Sequence, residues 1–435
     1  MNRFAILARS ALSSAVGELR MRMPHCSAWA SNVYTVIANP GENASKSVRL
    51  NWHSDIDGEA THCFYTECSD IHWARAKKAT PQQELCTAYD SMYSKTPQGE
   101  NIHENARFIR NTTELKNLKP GTRSPPPPRA PPKDGETRYF HTAPESGEWS
   151  AAIISDFHAY TPLPKRVKSA MAMLDTLEAK NGTHLDAILH VGDIIAWGGC
   201  YSFWRNLYSN EHFKNHHWAG INGNHDNMDR TNKRNNKEFF RNTNNNPLNG
   251  YDSQEGVCYY FIYGDVLFIM LNNQVMHSDE GLATAQEWVK KVIKKNQRKT
   301  RFTVVFEHYP WFLGGNGKTF QYARWSKFFD ENGVDLAVSA HNHIYLRTDA
   351  LYNDQETDGN SGTVYLQTPS TDNERGESIN EWIYNKDKIK IRWNEGAKTM
   401  GAILLKANSD QLSLTAYDRY GNALDNVIVK AKKRK

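Results

Sequence analysis

Five short polar motifs supply the side chains that could do chemistry in this 435-residue chain. They read Asp156-Phe157-His158, Gly192-Asp193, Gly223-Asn224-His225-Asp226, Glu307-His308 and His341-Asn342-His343. Carboxylate, amide and imidazole side chains suit ions such as zinc, iron and manganese. Two such ions held close together would neutralise phosphoryl oxygens and lower the pKa of a water molecule. Each motif is weak alone, but the ordered set predicts a two-metal site that hydrolyses phosphate esters.

The motifs follow apolar runs that have the length and composition of buried strands. These runs cover residues 149–155, 187–191, 302–306 and 334–338. Apolar residues at helical spacing over 166–180 and 282–293 predict helices between strands. Such alternation predicts an α/β sheet, and the carboxyl ends of its strands would bring the motifs together.

Two further regions predict antiparallel pairs. Residues 259–271 predict two strands around a turn at 263–265, and residues 402–405 with 412–417 predict a closing pair.

Residues 31–145 predict an all-β sandwich, because short strand-like runs such as 33–37, 47–52 and 138–142 alternate with turn residues. The proline-rich segment 124–132 interrupts this pattern. Proline cannot donate a hydrogen bond to a sheet, so we expect a partly disrupted sandwich with an extended segment there.

Residues 1–30 predict a targeting segment. An apolar stretch over 4–16 is followed by Ala28-Trp29-Ala30, a small-x-small pattern typical of signal-peptide cleavage. We therefore expect a secreted or periplasmic protein, and an arginine-rich transit segment is the alternative. No run approaches the roughly 20 apolar residues of a membrane span.

Bulk composition limits the class of partner. The formal net charge is +5, with no basic block except the tail at 430–435, so no nucleic-acid-binding module is expected. The six cysteines fit no zinc motif. Cys63, Cys68 and Cys86 are close enough in sequence for one disulfide, and buried free thiols are the alternative. The oligomeric state is left open.

Taken together, the motifs resemble the calcineurin-like metallophosphoesterase superfamily, and within it the purple acid phosphatases. The resemblance covers roughly residues 147–430 of a domain that we place at 147–435, including the hairpin that begins at Tyr259 and the stretch from His341 to Arg347. It implies a four-layer αββα metallophosphoesterase domain after an N-terminal module that is fibronectin type III-like.

The resemblance also implies a ligand for each position. The first metal would be held by Asp156, Asp193 and His343, and the second by Asp193, Asn224, His308 and His341. Asp193 would bridge the two ions, and Asn224 would also contact the phosphate. His225 would bind substrate and donate a proton, with Asp226 orienting its ring.

Two residues depart from the purple enzymes. Those enzymes have a tyrosine three residues after the bridging aspartate, where this chain has Ala196. They usually lack a histidine two residues after the first aspartate, where this chain has His158, which the wider superfamily uses as a ligand. We therefore predict that His158 joins the first metal and that the site is colourless. His190, His216 and His217 fit no ligand position and are expected to be strand or surface histidines.

The sequence thus predicts a dinuclear phosphatase that cleaves phosphate monoesters by a metal-bound hydroxide, with His225 protonating the leaving group. The two ions would be iron, zinc or manganese. A phosphodiesterase or nucleotide hydrolase on the same site is one alternative. A non-catalytic surface binding protein that retains its metals is the other.

Overall fold

The computed structural model describes residues 18–23, 33–56, 62–67, 70, 74–90, 104–121, 136–229, 236–272, 274, 276–313, 317–371, 389–393 and 400–432. The predicted proline-rich segment 124–132 lies outside these residues, as do Cys26 and Cys68. Cys63 and Cys86 are buried free thiols, so the alternative of unpaired cysteines is correct for both.

The N-terminal part is β-rich. Its strands are β1 Glu18–Met23, β2 Val33–Pro40, β3 Val48–Ser54, β4 Cys63–Glu67, β5 Lys77–Ala79, β6 Gln82–Asp90, β7 Glu104–Leu115 and β8 Glu136–His141. A four-stranded sheet has the order β5-β4-β1-β8, and β2, β3, β7 and β6 belong to a larger sheet. Trp52, Leu50 and Phe140 are among the apolar residues buried together in this region.

Strand β1 lies within the predicted targeting segment. It pairs antiparallel with β4 on one side and with β8 on the other. Cleavage after Ala30 would therefore remove an internal strand from the four-stranded sheet.

The second part alternates strands and helices. It begins with β9 Trp149–Ile154, α1 Lys165–Asn181, β10 Ala187–His190, α2 Tyr201–Leu207, α3 Glu211–Lys214, β11 His217–Gly220, α4 Asn224–Asn227 and α5 Glu238–Arg241. It continues with β12 Tyr259–Tyr263, β13 Val266–Met270, α6 Asp279–Asn296, β14 Phe302–Phe306, β15 Phe312–Leu313, β16 Gly317–Lys318, α7 Phe320–Asn332 and β17 Leu336–Ser339. The remaining strands are β18 Tyr345–Thr348, β19 Leu351–Tyr352, β20 Gln355–Glu356, β21 Val364–Gln367, β22 Ile389–Trp393, β23 Gly401–Ala407, β24 Gln411–Asp418 and β25 Ala423–Lys430.

Two large sheets organise these strands. One is ten-stranded, with the order β25-β24-β23-β9-β10-β11-β2-β3-β7-β6, and the other is seven-stranded, with the order β12-β13-β14-β17-β21-β18-β22. Strands β9, β10 and β11 are parallel, as are β13, β14, β17 and β21. The carboxyl ends of the parallel strands therefore meet at one edge of each sheet.

Alternating side chains of the strands fill three cores. Ile153 of β9 and Phe268 of β13 share the core between the two sheets. Ile154 packs on the opposite face with α1, and Ile269 packs with α6 and α7. The order of layers is helix, sheet, sheet, helix, which is the predicted αββα arrangement. Burial of each such side chain contributes about 1.5–3 kcal/mol.

The N-terminal strands extend the ten-stranded sheet. β2 runs parallel to β11, with Ala38 opposite His217. The Ala44 amide donates to the Ile262 carbonyl, and the Ile262 amide donates to the Glu42 carbonyl, each at 2.9 Å. The N-terminal region is thus joined to both large sheets by backbone hydrogen bonds.

Capping residues mark the ends of the long helices. In α1, Val167, Ala170 and Leu174 are buried at helical spacing, and the helix stops at Gly182, which has φ of 77°. In α6, the Ser278 side chain accepts from the Gly281 amide at 3.0 Å. No helix of the described residues is long and apolar enough to cross a membrane.

Candidate metal centre

The predicted ligands come together beyond the carboxyl ends of five parallel strands. The segments after β9, β10, β11, β14 and β17 supply, in that order, Asp156 with His158, Asp193, Asn224 with His225 at the start of α4, His308, and His341 with His343. Three overlapping groups have ligand atoms within 4.8 Å of one another: Asp156, His158 and His343; His158, Asp193 and His225; and Asp193, His308 and His341.

Asp193 lies between two buried imidazoles. Its Oδ2 atom is 3.3 Å from His158 Nε2 and 3.2 Å from His308 Nε2. The other carboxylate oxygen accepts a hydrogen bond from the His225 amide at 2.8 Å. Asp193 is therefore shared by two groups of residues that could hold a metal ion.

Backbone carbonyls set the tautomers of these imidazoles. His158 Nδ1 lies 2.9 Å from the Asp156 carbonyl oxygen, and His308 Nδ1 lies 2.8 Å from the Val191 carbonyl oxygen. A carbonyl can only accept, so each Nδ1 is the protonated nitrogen. In the neutral rings the Nε2 lone pairs then point at Asp193, an arrangement that a cation between them would stabilise.

A buried amide oxygen also fits a metal. Within the described part of the chain, Asn224 Oδ1 is buried and has no hydrogen-bond partner. An unsatisfied buried acceptor costs about 1–3 kcal/mol, and coordination to an ion would remove that cost. The donor set of carboxylates, imidazoles and one amide therefore fits divalent metals.

Electrostatic interactions favour positive charge in this pocket. Burial raises the pKa of Asp156 and Asp193, but His343 and His308, respectively, outweigh it and hold both pKa values below the ordinary range. Burial lowers the pKa of His308, but Asp193 raises it to a net value of about 9. The two aspartates thus stabilise a cation beside them.

The backbone at the ligands is strained. The following non-glycine residues are in the left-handed region: Asp156 (φ 51°), His158 (φ 44°), Asp193 (φ 54°), His341 (φ 76°) and His343 (φ 58°). This region is sparsely populated by such residues, and each instance costs on the order of 1–3 kcal/mol. This strain lowers the free energy of unfolding, and the same backbone conformations direct these side chains into the pocket.

Two glycines make room for the ligands. A Cβ atom on Gly192 would lie 2.6 Å from His308 Nδ1, and one on Gly223 would lie 2.2 Å from Asp193 Oδ1. Both distances are far below van der Waals contact. The glycines of these motifs are thus needed for close approach, a role that we had not predicted.

His225 is half-buried at the rim of the pocket. Its Nδ1 donates to the Ala196 carbonyl oxygen at 2.7 Å, and its ring lies edge-on to His158 with centroids 4.8 Å apart. We had expected Asp226 to orient this ring, but the Ala196 carbonyl does so. The Asp226 carboxylate instead accepts from the Ile195 amide at 2.9 Å and the Gly223 amide at 2.8 Å. Burial and the nearby Asp193 raise its pKa to about 7.

Aromatic side chains surround the pocket. Tyr309 packs edge-on against His341 with centroids 4.9 Å apart, and its hydroxyl accepts from Gln274 Nε2 at 3.0 Å. Trp197 lies 6.4 Å from the His225 ring. Both residues follow recognisable motif residues, but no spacing in the sequence indicates which aromatic rings turn toward the pocket.

Comparisons with known proteins agree with this geometry. Residues 150–345 match the family model of the calcineurin-like phosphoesterases. No curated protein sequence matches the chain significantly. Purple acid phosphatase PPD1 from yellow lupin (Lupinus luteus) seeds superposes with a TM-score of 0.68 at 15% identity, over 93% of this chain and 75% of that one. PhoD superposes with a TM-score of 0.54 at 10% identity, over 95% and 94% of the two chains.

At these identities the two superpositions show a shared fold, and the family match accounts for the part of the chain that holds most of the pocket. Enzymes of this family use divalent metals. Residues 150–345 thus match the calcineurin-like phosphoesterase domain, and the chain has the fold of a purple acid phosphatase.

Proposed function

We propose that this protein is a dinuclear metal-dependent phosphatase that hydrolyses phosphate monoesters. The observation that supports this most strongly is the position of Asp193 Oδ2, which lies 3.3 Å from His158 Nε2 and 3.2 Å from His308 Nε2. One carboxylate between two imidazole groups, each with its second nitrogen fixed by a carbonyl, is the arrangement expected for a shared ligand of two ions.

Each ion has a proposed set of protein ligands. The first set is Asp156, His158, Asp193 and His343, and the second set is Asp193, Asn224, His308 and His341. Two bound divalent ions would neutralise charge on the phosphoryl group and make a water molecule acidic enough to attack at neutral pH. Iron, zinc and manganese all suit these nitrogen and oxygen donors.

His225 is the proposed proton donor to the leaving oxygen. Because Nδ1 donates to the Ala196 carbonyl, Nε2 is the nitrogen that can hold and release a proton at the rim. Its partial exposure allows contact with a substrate. Asn224, beside it, would hold a phosphoryl oxygen through its amide group. Asp226 is a positioning residue, because its carboxylate fixes the Gly223 and Ile195 amides on either side of the pocket.

We also infer that the loaded enzyme is colourless. The purple colour requires a tyrosinate bound to ferric iron, and the corresponding position is the buried Ala196. The imidazole of His158 is a neutral ligand and suits divalent ions.

The organisation and location are further proposals. We infer a β-rich module over residues 31–145 that supports the phosphatase domain over 147–435, and export directed by residues 1–30. The pattern Ala28-Trp29-Ala30 supports export, whereas the pairing of β1 with β4 and β8 opposes cleavage there. N-terminal sequencing of the protein from its native host would decide between processing and retention.

Parallel assays test the activity. Purified, metal-analysed protein would be given p-nitrophenyl phosphate and bis-p-nitrophenyl phosphate under identical conditions. We expect two ions per chain in this pocket and a higher kcat/KM for the monoester. A higher kcat/KM for the diester would instead support a phosphodiesterase. Bound metal without turnover of either compound would contradict an enzymatic function.

A further inference from the structure

A second cluster of imidazole and carboxylate groups lies at the opposite edge of the ten-stranded sheet. Glu178 is on α1, His184 is in the connection to β10, and His216 directly precedes β11. Ligand atoms of the three residues lie within 4.8 Å of one another. They therefore lie at the amino ends of β10 and β11, whereas Asp193 lies beyond their carboxyl ends.

One carboxylate oxygen is shared by the two rings. Glu178 Oε1 is 2.8 Å from His184 Nδ1 and 2.9 Å from His216 Nε2. The two rings stack with centroids 4.0 Å apart. The three groups thus converge on one point.

Backbone carbonyls again determine which nitrogens carry protons. His216 Nδ1 lies 2.6 Å from the His212 carbonyl oxygen, and His184 Nε2 lies 3.3 Å from the Asn215 carbonyl oxygen. Since a carbonyl only accepts, these nitrogens donate. The remaining ring nitrogens, His184 Nδ1 and His216 Nε2, both face Glu178 Oε1, where a proton on a ring or a cation among the three groups would satisfy them.

We propose that Glu178, His184 and His216 bind a zinc ion that fastens the end of α1 to the segment before β11. Two imidazoles and one carboxylate are a ligand set that zinc accepts, with a water molecule as the fourth ligand. The side chains of Glu178 and His184 are 27% and 28% exposed, so an ion and its water can reach the cluster from solvent.

The distances suit this ion after a small adjustment. Zinc–ligand bonds of about 2.0–2.1 Å at tetrahedral angles place neighbouring ligand atoms about 3.3 Å apart. The observed contacts of 2.8 and 2.9 Å would therefore widen slightly. Rotation of the partly exposed Glu178 carboxylate, in the last turn of α1, can supply this movement.

The test is zinc content and thermal unfolding of the full chain after dialysis against buffered zinc. Glu178→Gln and His216→Gln should each hold one zinc fewer per chain than the wild type. Their unfolding temperature should no longer rise when zinc is added. His184→Gln, at a position more exposed than that of His216, gives the same readout if either other variant fails to fold.

His212→Gln is the matched control. His212 belongs to the same group of rings, but its Nε2 lies 2.8 Å from the exposed Asp175 and its backbone carbonyl would be unchanged. It should keep the full zinc content. The phosphatase activity per chain should be retained in all four variants, because none of these residues is in the phosphatase pocket.

Equal zinc content in the wild type, Glu178→Gln and His184→Gln would overturn the proposal. The outcome does not depend on the proposed phosphatase activity. A protein that lost its pocket metals through Asp193→Asn should still bind this zinc ion with the wild-type stoichiometry.

Discussion

Two clusters of histidine and carboxylate lie at opposite ends of β10 and β11, and they differ in what the backbone does. In both, carbonyl oxygens fix imidazole tautomers and a single carboxylate oxygen lies near two ring nitrogens. In the phosphatase pocket, five of the ligands have positive φ. In the second cluster Glu178 is helical, and neither histidine is among the described residues with positive φ.

The pocket makes greater demands on the backbone than the second cluster does. Seven converging ligands around one small volume need a strained backbone and glycines at the closest approaches. Three ligands that tie two elements together can be supplied by an ordinary helix and two loops. The first kind of site therefore leaves motifs in the sequence, such as Gly-Asp and Gly-Asn-His-Asp, and the second kind leaves none.

The largest expected difference in kcat/KM is between two carboxylate-to-amide substitutions, one in each cluster. In Asp193→Asn the shared negative charge is lost, so we expect both pocket ions to be released and kcat/KM to fall on the order of 10³-fold or more. Glu178→Gln makes the same chemical change in the other cluster and should leave kcat/KM unchanged. Steady-state assays with metal analysis would show this, and equal losses in the two variants would argue against separate roles.

His225→Ala should affect turnover without affecting metal content. The ring holds a proton at the rim and is absent from both proposed ligand sets, so its removal should lower kcat by roughly 10²–10⁴-fold. The loss should be larger for a poor leaving group than for p-nitrophenol. Release of both ions would show that His225 is a ligand instead.

Glycine-to-alanine substitutions compare the backbone at the pocket with the backbone near the second cluster. Gly223→Ala would place a methyl group 2.2 Å from Asp193 Oδ1, and we expect activity to fall roughly 10–100-fold as that ligand moves. Gly182, at the end of α1 near the second cluster, has φ of 77° and open space around its Cβ position. Gly182→Ala should cost about 1 kcal/mol of stability and leave activity intact. Denaturant unfolding would measure the stability of both variants, and phosphatase assays would measure their activity. Crowding of Asp193 should lower activity in Gly223→Ala, whereas backbone strain should lower only stability in Gly182→Ala.

The last prediction concerns the pH dependence of stability after metal removal. With its pKa raised from 6.5 to about 9, His308 binds its proton more tightly in the folded protein. Its contribution is complete below pH 6.5 and is lost as pH rises through 9, so the chelated protein should lose roughly 3 kcal/mol at most over this window. Metal-loaded protein should not show this loss, since an ion replaces the proton. His308→Gln should flatten the profile of the chelated protein, and an unchanged slope would refute the assignment.

The sequence predicted most of the fold that positions the pocket. The strand at 302–306 and the helices near 166–180 and 282–293 were correct within a few residues, because their apolar periodicity is strong. It could not show that β2 joins the edge of β11, because strand order between distant segments leaves no local pattern. We had therefore divided the chain between residues 145 and 147, without an indication that the ten-stranded sheet includes strands from both sides of this boundary.

The candidate site was predictable only in part. Asp156, Asp193 and His308 were identifiable because each stands after a buried strand. The Ala196 carbonyl that orients His225 was not, because any residue supplies a carbonyl. His216 was predicted to be a strand or surface histidine, but it is buried against Glu178, a residue 38 positions away. Such a long separation gives no sequence signal.

A crystal structure of the metal-loaded protein, with anomalous data collected at the absorption edges of zinc, iron and manganese, tests the central claim most directly. We expect two ions about 3.5–4 Å apart, with Asp193 bound to both of them. One isolated ion, or two ions that Asp193 does not bridge, would contradict it.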